Sequence, residues 1–92
     1  MDLTLQGKNA LVTGAARGIG ARIAARLAEH ECFVYVADID EAGARVCAAE
    51  IGPHAVGVRV DVRDRASVRT TVERIVRERG GIDVLVNNAG LL

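Results

Sequence analysis

The stretch from Thr13 to Gly20 reads Thr-Gly-Ala-Ala-Arg-Gly-Ile-Gly and directly follows the apolar run Ala10-Leu11-Val12. Glycine has no Cβ atom, so a glycine-rich turn lets a ligand approach the backbone closely. Where such a turn leads from a strand into a helix, the free N–H groups of the first helical turn favour an anion. The stretch therefore predicts a nucleotide-binding turn in which Gly14, Gly18 and Gly20 lie near the phosphates.

The size and charge of the chain restrict the classes of protein to consider. Its 92 residues suit one small domain spanning residues 1–92. Half of the residues are hydrophobic and only 2% are aromatic, so the core must be aliphatic. Twelve basic residues balance twelve acidic ones, which argues against a dedicated surface for nucleic acid or anionic membranes.

The sequence shows no targeting signal and no cysteine motif that would indicate another class of protein. The segment Met1 to Gly7 lacks the charged-then-apolar pattern of a signal peptide, and no apolar run approaches the roughly 18 residues of a membrane span. Cys32 and Cys47 show no CxxC spacing, so we expect buried free thiols and no metal site. The expected location is cytoplasmic.

The rest of the chain alternates between segments typical of strands and of helices. Strand segments are short apolar runs, whereas helical segments space their apolar residues three or four apart. Glycine-containing pairs, Gly52-Pro53 and Gly80-Gly81, end two of the helices. The predicted strands are Lys8 to Thr13, Phe33 to Ala37, Ala55 to Val60 and Ile82 to Val86; the predicted helices are Gly18 to about His30, Asp40 to Ile51 and Asp64 to Arg79, the last two capped by their aspartates.

Two of the helices have a predicted buried face. Ile19, Ile23 and Leu27 are four apart in the first helix and are expected to point inward. The third helix is expected to bury a larger set, namely Val68, Val72, Ile75 and Val76.

The strand segments also predict how the sheet is built. Continuous rather than alternating apolar runs indicate strands covered on both faces, as in a parallel sheet. Right-handed crossovers favour the strand order 3-2-1-4. The predicted fold class is α/β: a Rossmann-like doubly wound parallel sheet of four strands, incomplete relative to the full fold. Ligands of such sheets bind where the chain reverses direction, here between the first and fourth strands.

Asp38 closes the second strand, eighteen residues after Gly20. An acidic residue about 20 residues beyond the glycines accepts hydrogen bonds from the ribose of a dinucleotide. Its carboxylate would repel the 2′-phosphate of NADP, and Ile39 beside it offers no compensating charge. Arg17 in the glycine turn would instead attract that phosphate. We expect NAD as the cofactor, in preference to NADP.

Polar residues also follow the third and fourth strands. Asp61 could accept a hydrogen bond from an adenine amino group, with Val62 against the ring; the alternative is a turn aspartate before the Asp64 cap. Asn87 to Gly90 reads Asn-Asn-Ala-Gly at the same edge of the sheet. Asparagine offers both a donor and an acceptor to a ligand, although an ordinary Asn-Gly-type turn is the alternative.

With these motifs, the chain resembles the N-terminal part of a classical short-chain dehydrogenase/reductase. Thr13 to Gly20 match the TGxxxGxG turn of that family, Asp38 its NAD-selecting acid, Asp61-Val62 its adenine-side pair and Asn87 to Gly90 its NNAG motif. The resemblance implies an oxidoreductase that moves a hydride between a nicotinamide and an alcohol or carbonyl. It implies that the cofactor is lined by Ile19, Asp38, Asp61, Val62, Asn88, Ala89 and Gly90, and that Asn87 braces the sheet.

The chain departs from the family pattern at two points. Glu31 stands where the family usually ends the first helix with glycine, and a left-handed non-glycine residue costs roughly 1–2 kcal/mol. The resemblance also implies that the catalytic serine, tyrosine, lysine and asparagine lie beyond Leu92. Tyr35 and Lys8, the only tyrosine and lysine, form no YxxxK pair. We therefore assign no catalytic residue and expect the 92-residue chain to be inactive alone.

Other functions remain open at this point. The chain could be a non-enzymatic module that binds adenine nucleotides. A methyltransferase-type adenosyl site could share the glycines and Asp38, although Asn87 to Gly90 favours the dehydrogenase, and a P-loop is disfavoured because no Gly-Lys-Ser/Thr follows the glycines. An unpaired edge at Val84-Leu85-Val86 would also favour self-association.

Overall fold

The computed structural model describes residues 5–89 and shows the predicted alternation of strands and helices. The bounds of the strands and helices agree with the predicted ones to within a few residues. The fourth strand begins two residues later than expected, because the side chain of Asp83 accepts the backbone N–H of Asn9 at 2.8 Å before regular pairing starts. The elements are β1 (Asn9–Thr13), α1 (Gly18–Glu29), β2 (Phe33–Asp38), α2 (Glu41–Ile51), β3 (Ala55–Arg59), α3 (Arg65–Arg79) and β4 (Val84–Asn87).

The four strands form one parallel sheet in the order β3-β2-β1-β4, which confirms the predicted topology. In the register, Leu11 lies between Tyr35 and Leu85, and Thr13 lies between Ala37 and Asn87. The first and last strands in sequence are therefore neighbours, and their carboxyl ends meet at the reversal point of the sheet.

Helices cover both faces of the sheet, as a doubly wound fold requires. Alternate residues of β1 point to opposite sides: Val12 packs with α1 and α2, whereas Leu11 packs toward Ile75 of α3. The α2 side is built from small residues that allow close approach. At Gly57 of β3 a Cβ atom would lie 2.6 Å from the backbone of Arg45, so α2 rests directly on the strand.

The predicted burial is correct for most of the chain and wrong at two positions. Every residue of β1 is buried, and Ile23 and Leu27 pack against the core. Ile19, however, is 68% exposed, because it lies in the first turn of α1 at the open end of the sheet. Val76 is 50% exposed, because the face of α3 toward the sheet passes through Ile75 and Thr71 instead.

The strand β4 is also less covered than predicted for a parallel strand. Its residues alternate between half-buried and exposed, and Leu85 is 64% exposed. Val84 and Val86 pack against the core on the α1 and α2 side. Within residues 5–89, β4 pairs with β1 alone, so its outer edge and the Leu85 face are open.

The helix ends follow the predicted local chemistry. Asp40 caps α2 by accepting the N–H of Gly43 at 3.0 Å, and Asp64 caps α3 by accepting that of Ala66 at 3.0 Å. These bonds satisfy N–H groups that a helix start otherwise leaves unpaired. In the part of the chain that is described, none of the helices is long and apolar enough to cross a membrane.

The end of α1 places Glu31 in the left-handed region, with φ of 68°. The N–H of Cys32 donates to the carbonyl of Leu27 at 3.1 Å and that of Glu31 to Ala28 at 2.9 Å. This pair of bonds is a Schellman motif, in which the residue after the cap is usually glycine. Glu31 therefore carries the backbone strain that the sequence predicted.

Candidate nucleotide-binding site

The carboxyl ends of all four strands border one cleft of about 450 Å³. It brings together residues from motifs that are far apart in sequence, as the topology predicts. Of the predicted site residues, five line it directly; Arg17, Gly18, Ile19, Gly20 and Asn88 lie in the adjoining turns, and Gly90 lies outside the described residues. The cleft is lined by Gly14, Asp38, Ile39, Val60, Asp61, Val62, Arg63 and Ala89.

The three glycines of the turn are required for different reasons. Gly14 and Gly18 have positive φ angles of 63° and 65°, which favour glycine. A Cβ atom at Gly14 would also lie 2.8 Å from the Cα of Ala89, whereas one at Gly18 would meet open space. A Cβ atom at Gly20 would overlap the carbonyl oxygen of Gly14. The turn is thus packed tightly at both ends and open at Gly18.

The start of α1 differs from the starts of the other two helices. Its N-cap residue is Arg17, whose side chain makes no capping hydrogen bond, and its first turn holds no acidic residue. Helices α2 and α3 are capped by aspartates instead. Because no carboxylate lies at the start of α1, no side chain caps its first N–H groups. These N–H groups and the positive end of the helix dipole therefore suit an anionic ligand.

The carboxylate of Asp38 joins the glycine turn to the turn after β2. Its Oδ2 accepts the N–H of Ala16 at 3.0 Å, and its Oδ1 accepts the N–H of Asp40 at 3.0 Å. A carboxylate oxygen can accept more than one hydrogen bond, so both atoms retain capacity for a ligand hydroxyl. Asp38 is half-buried on the wall of the cleft, in the position where the sequence predicted a ribose-binding acid.

Asp61 has a clear local role in the turn after β3. Its Oδ1 accepts the backbone N–H of Arg63 at 3.0 Å and the side-chain Nε of the same residue at 3.1 Å. These bonds to Arg63, the side-chain one foremost, hold the pKa of the Asp61 carboxyl below its usual range. The turn-aspartate alternative is therefore realised, and contact with an adenine stays a prediction.

Two asparagines, one at the end of β4 and one directly after it, brace the site from the opposite side. Asn87 accepts a hydrogen bond from the hydroxyl of Thr13 at 3.0 Å. The side-chain amide of Asn88 donates to the carbonyl oxygen of Gly14 at 3.1 Å. Asn88 therefore holds the glycine turn directly, a role that sequence reasoning did not assign to it, because the contact depends on how β1 and β4 are paired.

Sequence reasoning also missed three lining residues, Ile39, Val60 and Arg63. The one signal in the sequence is that Ile39 directly follows Asp38 at a strand end; the structure leaves this isoleucine 49% exposed. The lining of the cleft combines apolar side chains, Ile39, Val60 and Val62, with the carboxylates of Asp38 and Asp61. Such a surface can hold a flat ring and the hydroxyls attached to it.

Other reactive side chains lie away from the cleft. Tyr35 is buried, and its hydroxyl donates to Oε1 of Glu78 at 2.8 Å. Cys32 and Cys47 are buried free thiols whose pKa is raised, mainly by burial. Between residues 5 and 89, no three His, Cys, Asp or Glu side chains cluster closely enough to hold a metal ion.

Comparison with known proteins places these features in a family. The model of the short chain dehydrogenase family matches residues 8–92. The chain is 48% identical to galactitol 2-dehydrogenase of Agrobacterium fabrum over 97% of its own length and 35% of that protein. It is 44% identical to the 3-oxoacyl-acyl-carrier-protein reductase FabG of Haemophilus influenzae, over 95% of its own length and 36% of that protein.

A solved structure agrees with the sequence relatives. The 3-ketoacyl-(acyl-carrier-protein) reductase of Brucella melitensis, complexed with NADH, superimposes with a TM-score of 0.84 at 41% identity, over 88% of this chain and 33% of that one. The chain thus spans about a third of the length of these relatives. Since the family model covers nearly all of its residues, the chain belongs to the short-chain dehydrogenase family.

Proposed function

We propose that this chain is the NAD-binding N-terminal portion of an oxidoreductase that moves a hydride between a nicotinamide and an alcohol or carbonyl substrate. The observation that carries the proposal is the carboxylate of Asp38, fixed against the glycine turn through Ala16 and facing the cleft. The family membership supports the reaction class. The name of the Brucella structure, a reductase with NADH, supports a nicotinamide cofactor.

Each part of the cofactor has residues suited to it. The N–H groups at the start of α1 would receive the pyrophosphate, and the Asp38 carboxylate would accept from the ribose hydroxyls. Asp61 and Val62 would lie on the adenine side, and the segment after β4 would lie toward the nicotinamide. The complete proposed set is Gly14, Arg17, Gly18, Ile19, Gly20, Asp38, Asp61, Val62, Asn88, Ala89 and Gly90.

The charges around the cleft favour NAD over NADP. Two carboxylates, Asp38 and Asp61, line it, and the Arg63 guanidinium that also borders it is bonded to Asp61. Ile39 next to Asp38 supplies no positive charge. A 2′-phosphate would enter a region of negative charge, whereas the hydroxyl of NAD would find an acceptor.

We assign no proton-transfer step to this chain alone. Its residues would bind and orient the cofactor, which supplies the hydride chemistry when bound. The only tyrosine, Tyr35, is 1% exposed, donates to Glu78 and is not part of the cleft wall. Tyr35 is therefore not placed to act on a bound cofactor, and we propose that these 92 residues hold a nicotinamide cofactor without reducing a substrate. We also propose a cytoplasmic location.

The open edge of β4 supports a second part of the proposal, self-association of the chain. Leu85 is 64% exposed and borders an apolar groove of about 260 Å³ that includes Leu11, Val72 and Ile82. An unpaired edge next to exposed apolar surface favours pairing with another chain. Sedimentation velocity over a concentration series should show association, weakened by Leu85→Lys. A monomer at every concentration would contradict this part.

Calorimetric titration tests the cofactor proposal. We expect NAD and ADP-ribose to bind more tightly than NADP, and S-adenosylmethionine not to bind. Because hydrogen bonds to a charged group contribute about 1.5–3 kcal/mol, Asp38→Ala should weaken NAD binding by at least about tenfold. Asp64→Ala is the matched control, since the Asp64 carboxylate also accepts a backbone N–H group, that of Ala66, but does not line the cleft.

Two outcomes would contradict the cofactor proposal, and a third would contradict a separate expectation. Binding of S-adenosylmethionine alone would favour a methyltransferase-type site. Equal binding of ADP and NAD, with no loss on Asp38→Ala, would favour a plain adenine-nucleotide module. Reduction of a carbonyl substrate by the 92-residue chain would contradict the expectation that it is inactive alone.

A further inference from the structure

The guanidinium of Arg17 in the glycine turn is bonded to the carboxylate of Asp40 in the turn after β2. Nη2 of Arg17 lies 2.5 Å from Oδ2 of Asp40. The other oxygen, Oδ1, accepts the N–H of Gly43 and so caps α2. One carboxylate therefore serves two partners, one oxygen for each.

We propose that Asp40 is a second determinant of cofactor selectivity, because it withholds Arg17 from a 2′-phosphate. The inference rests on the proposed function, since it concerns which dinucleotide the cleft accepts. Arg17 is the residue of the glycine turn with a charge that could bind such a phosphate. While it is paired with Asp40, a 2′-phosphate would have to displace that carboxylate to bind it.

The backbone holds Asp40 in place independently of Arg17. Its N–H donates to Oδ1 of Asp38 at 3.0 Å, and its own Oδ1 accepts from Gly43 at 3.0 Å. The Arg17 side chain is 74% exposed, against 38% for Asp40. The acceptor is thus pre-positioned by the backbone, and the more exposed arginine is the partner for which a 2′-phosphate would compete.

The Asp40 carboxylate and a 2′-phosphate would compete for the Arg17 guanidinium, close to Asp38. Asp38, Asp40 and Arg17 together carry a net charge of −1, from two carboxylates and one guanidinium. A phosphate monoester carries about −1.5 to −2 charges at pH 7, so it meets net repulsion as well as an occupied arginine. The ribose hydroxyl of NAD carries no charge and needs no contact with Arg17. Asp40 therefore acts as a positioning residue that discriminates against the phosphorylated cofactor.

A double-mutant cycle separates this mechanism from simple repulsion. The variants are Asp40→Asn, Arg17→Gln and the two combined. Asparagine is as good an N-cap as aspartate, so the α2 start is kept while the charge is removed. Each protein is titrated with NAD and with NADP at one salt concentration, and the ratio of the two Kd values, NADP over NAD, is compared.

With Arg17 present, Asp40→Asn should lower this ratio about two- to fivefold, in line with the strength of exposed or partly exposed charge pairs. In the Arg17→Gln background the same substitution should lower it less than about twofold. An equal fall in both backgrounds would show direct repulsion by Asp40 and overturn the proposal. No fall in either background would overturn it as well.

The binding of the unsubstituted chain distinguishes failure of this inference from failure of the proposed function. If the unsubstituted chain binds neither dinucleotide, the proposed function fails and this inference with it. If NAD binds and the ratio does not move, this inference alone fails. Circular dichroism and thermal unfolding report whether each variant folds, and Asp40→Ser, which also keeps a capping oxygen, replaces Asp40→Asn if that variant is unfolded.

Discussion

The hydroxyl of Thr13 donates a 3.0 Å hydrogen bond to Oδ1 of Asn87, across the last paired residues of β1 and β4. The hydroxyl oxygen of Thr13 in turn accepts the backbone N–H groups of Asn88 at 3.1 Å and Ala89 at 3.2 Å. One buried hydroxyl thus makes three bonds that fix the segment after β4 against the glycine turn. The shape of the cleft between them depends on this connection.

Replacing Thr13 by valine should destabilise the fold. Valine has nearly the same shape but leaves the N–H groups of Asn88 and Ala89 and the amide of Asn87 without this partner. Because each of the three lost hydrogen bonds contributes about 0.5–1.5 kcal/mol net, we expect a loss of about 2–3 kcal/mol in urea unfolding. Thr13→Ser keeps the hydroxyl and loses one methyl group, so it should cost about 1 kcal/mol or less. Equal losses in the two variants would contradict the role of the hydroxyl.

Gly20→Ala should also destabilise the protein, although alanine normally favours a helix by about 1 kcal/mol over glycine. The added Cβ would overlap the carbonyl oxygen of Gly14 and lie 2.6 Å from Nδ2 of Asn88. Overpacking of this kind costs about 1–3 kcal/mol, which should appear as a lower midpoint of unfolding.

Gly18 provides the comparison, because a Cβ atom there meets no neighbour. Its φ of 65° makes alanine strained by about 1–2 kcal/mol, whereas asparagine tolerates that region. Gly18→Asn should therefore recover most of the loss seen in Gly18→Ala, and Gly20→Asn should recover none. If Gly20→Ala raised the stability, the packing argument would be wrong.

Glu31→Gly should stabilise the chain. Glu31 has φ of 68° at the end of α1, a conformation that favours glycine. Relief of this strain, partly offset by the greater freedom of glycine in the unfolded chain, should yield up to about 1 kcal/mol in urea unfolding. Glu31→Ala is the control, because it removes the carboxylate and keeps the Cβ atom. A gain in the alanine variant equal to that in the glycine variant would assign the effect to charge.

The stability of the fold should fall at alkaline pH through Tyr35. Burial and the hydrogen bond to Glu78 raise the pKa of Tyr35 from 10.0 to about 12. Between these values the unfolded chain loses the phenolic proton and the folded chain keeps it, so stability is full below pH 10 and decreases as the pH rises toward 12. The decrease should reach about 2–3 kcal/mol.

Tyr35→Phe isolates this effect from the buried thiols, whose raised pKa acts in the same direction. The variant should show a shallower loss of stability over this pH range in urea unfolding. Because the chain has one tyrosine and no tryptophan, ultraviolet absorbance of the tyrosinate reports the pKa directly. A titration midpoint near 10 in the folded protein would contradict the prediction.

The sequence predicted the fold well because its signals are local. Apolar runs, the aspartate caps at Asp40 and Asp64, and the glycine breaks determine where elements begin and end, and right-handed crossovers leave few strand orders. The errors occurred where burial depends on neighbours. Ile19 and Val76 fit a helical period, yet both are exposed: Ile19 lies at the open end of the sheet, and Val76 lies off the face of α3 that packs on it.

The sequence indicated several residues that line the cleft, but not the hydrogen bonds that hold them in place. Asp38 is recognised by its distance along the chain from the glycines, since one helix and one strand separate the two. By itself, the sequence determined the element order, the glycine turn and the acid at the end of β2, because these follow from backbone preferences and spacing. Only the tertiary structure decided that Asn88 holds Gly14, that Thr13 joins β1 to the segment after β4 and that Asp40 occupies Arg17. Each of these contacts joins residues brought together by parallel pairing and crossover helices, and a side chain's partner is set by that geometry.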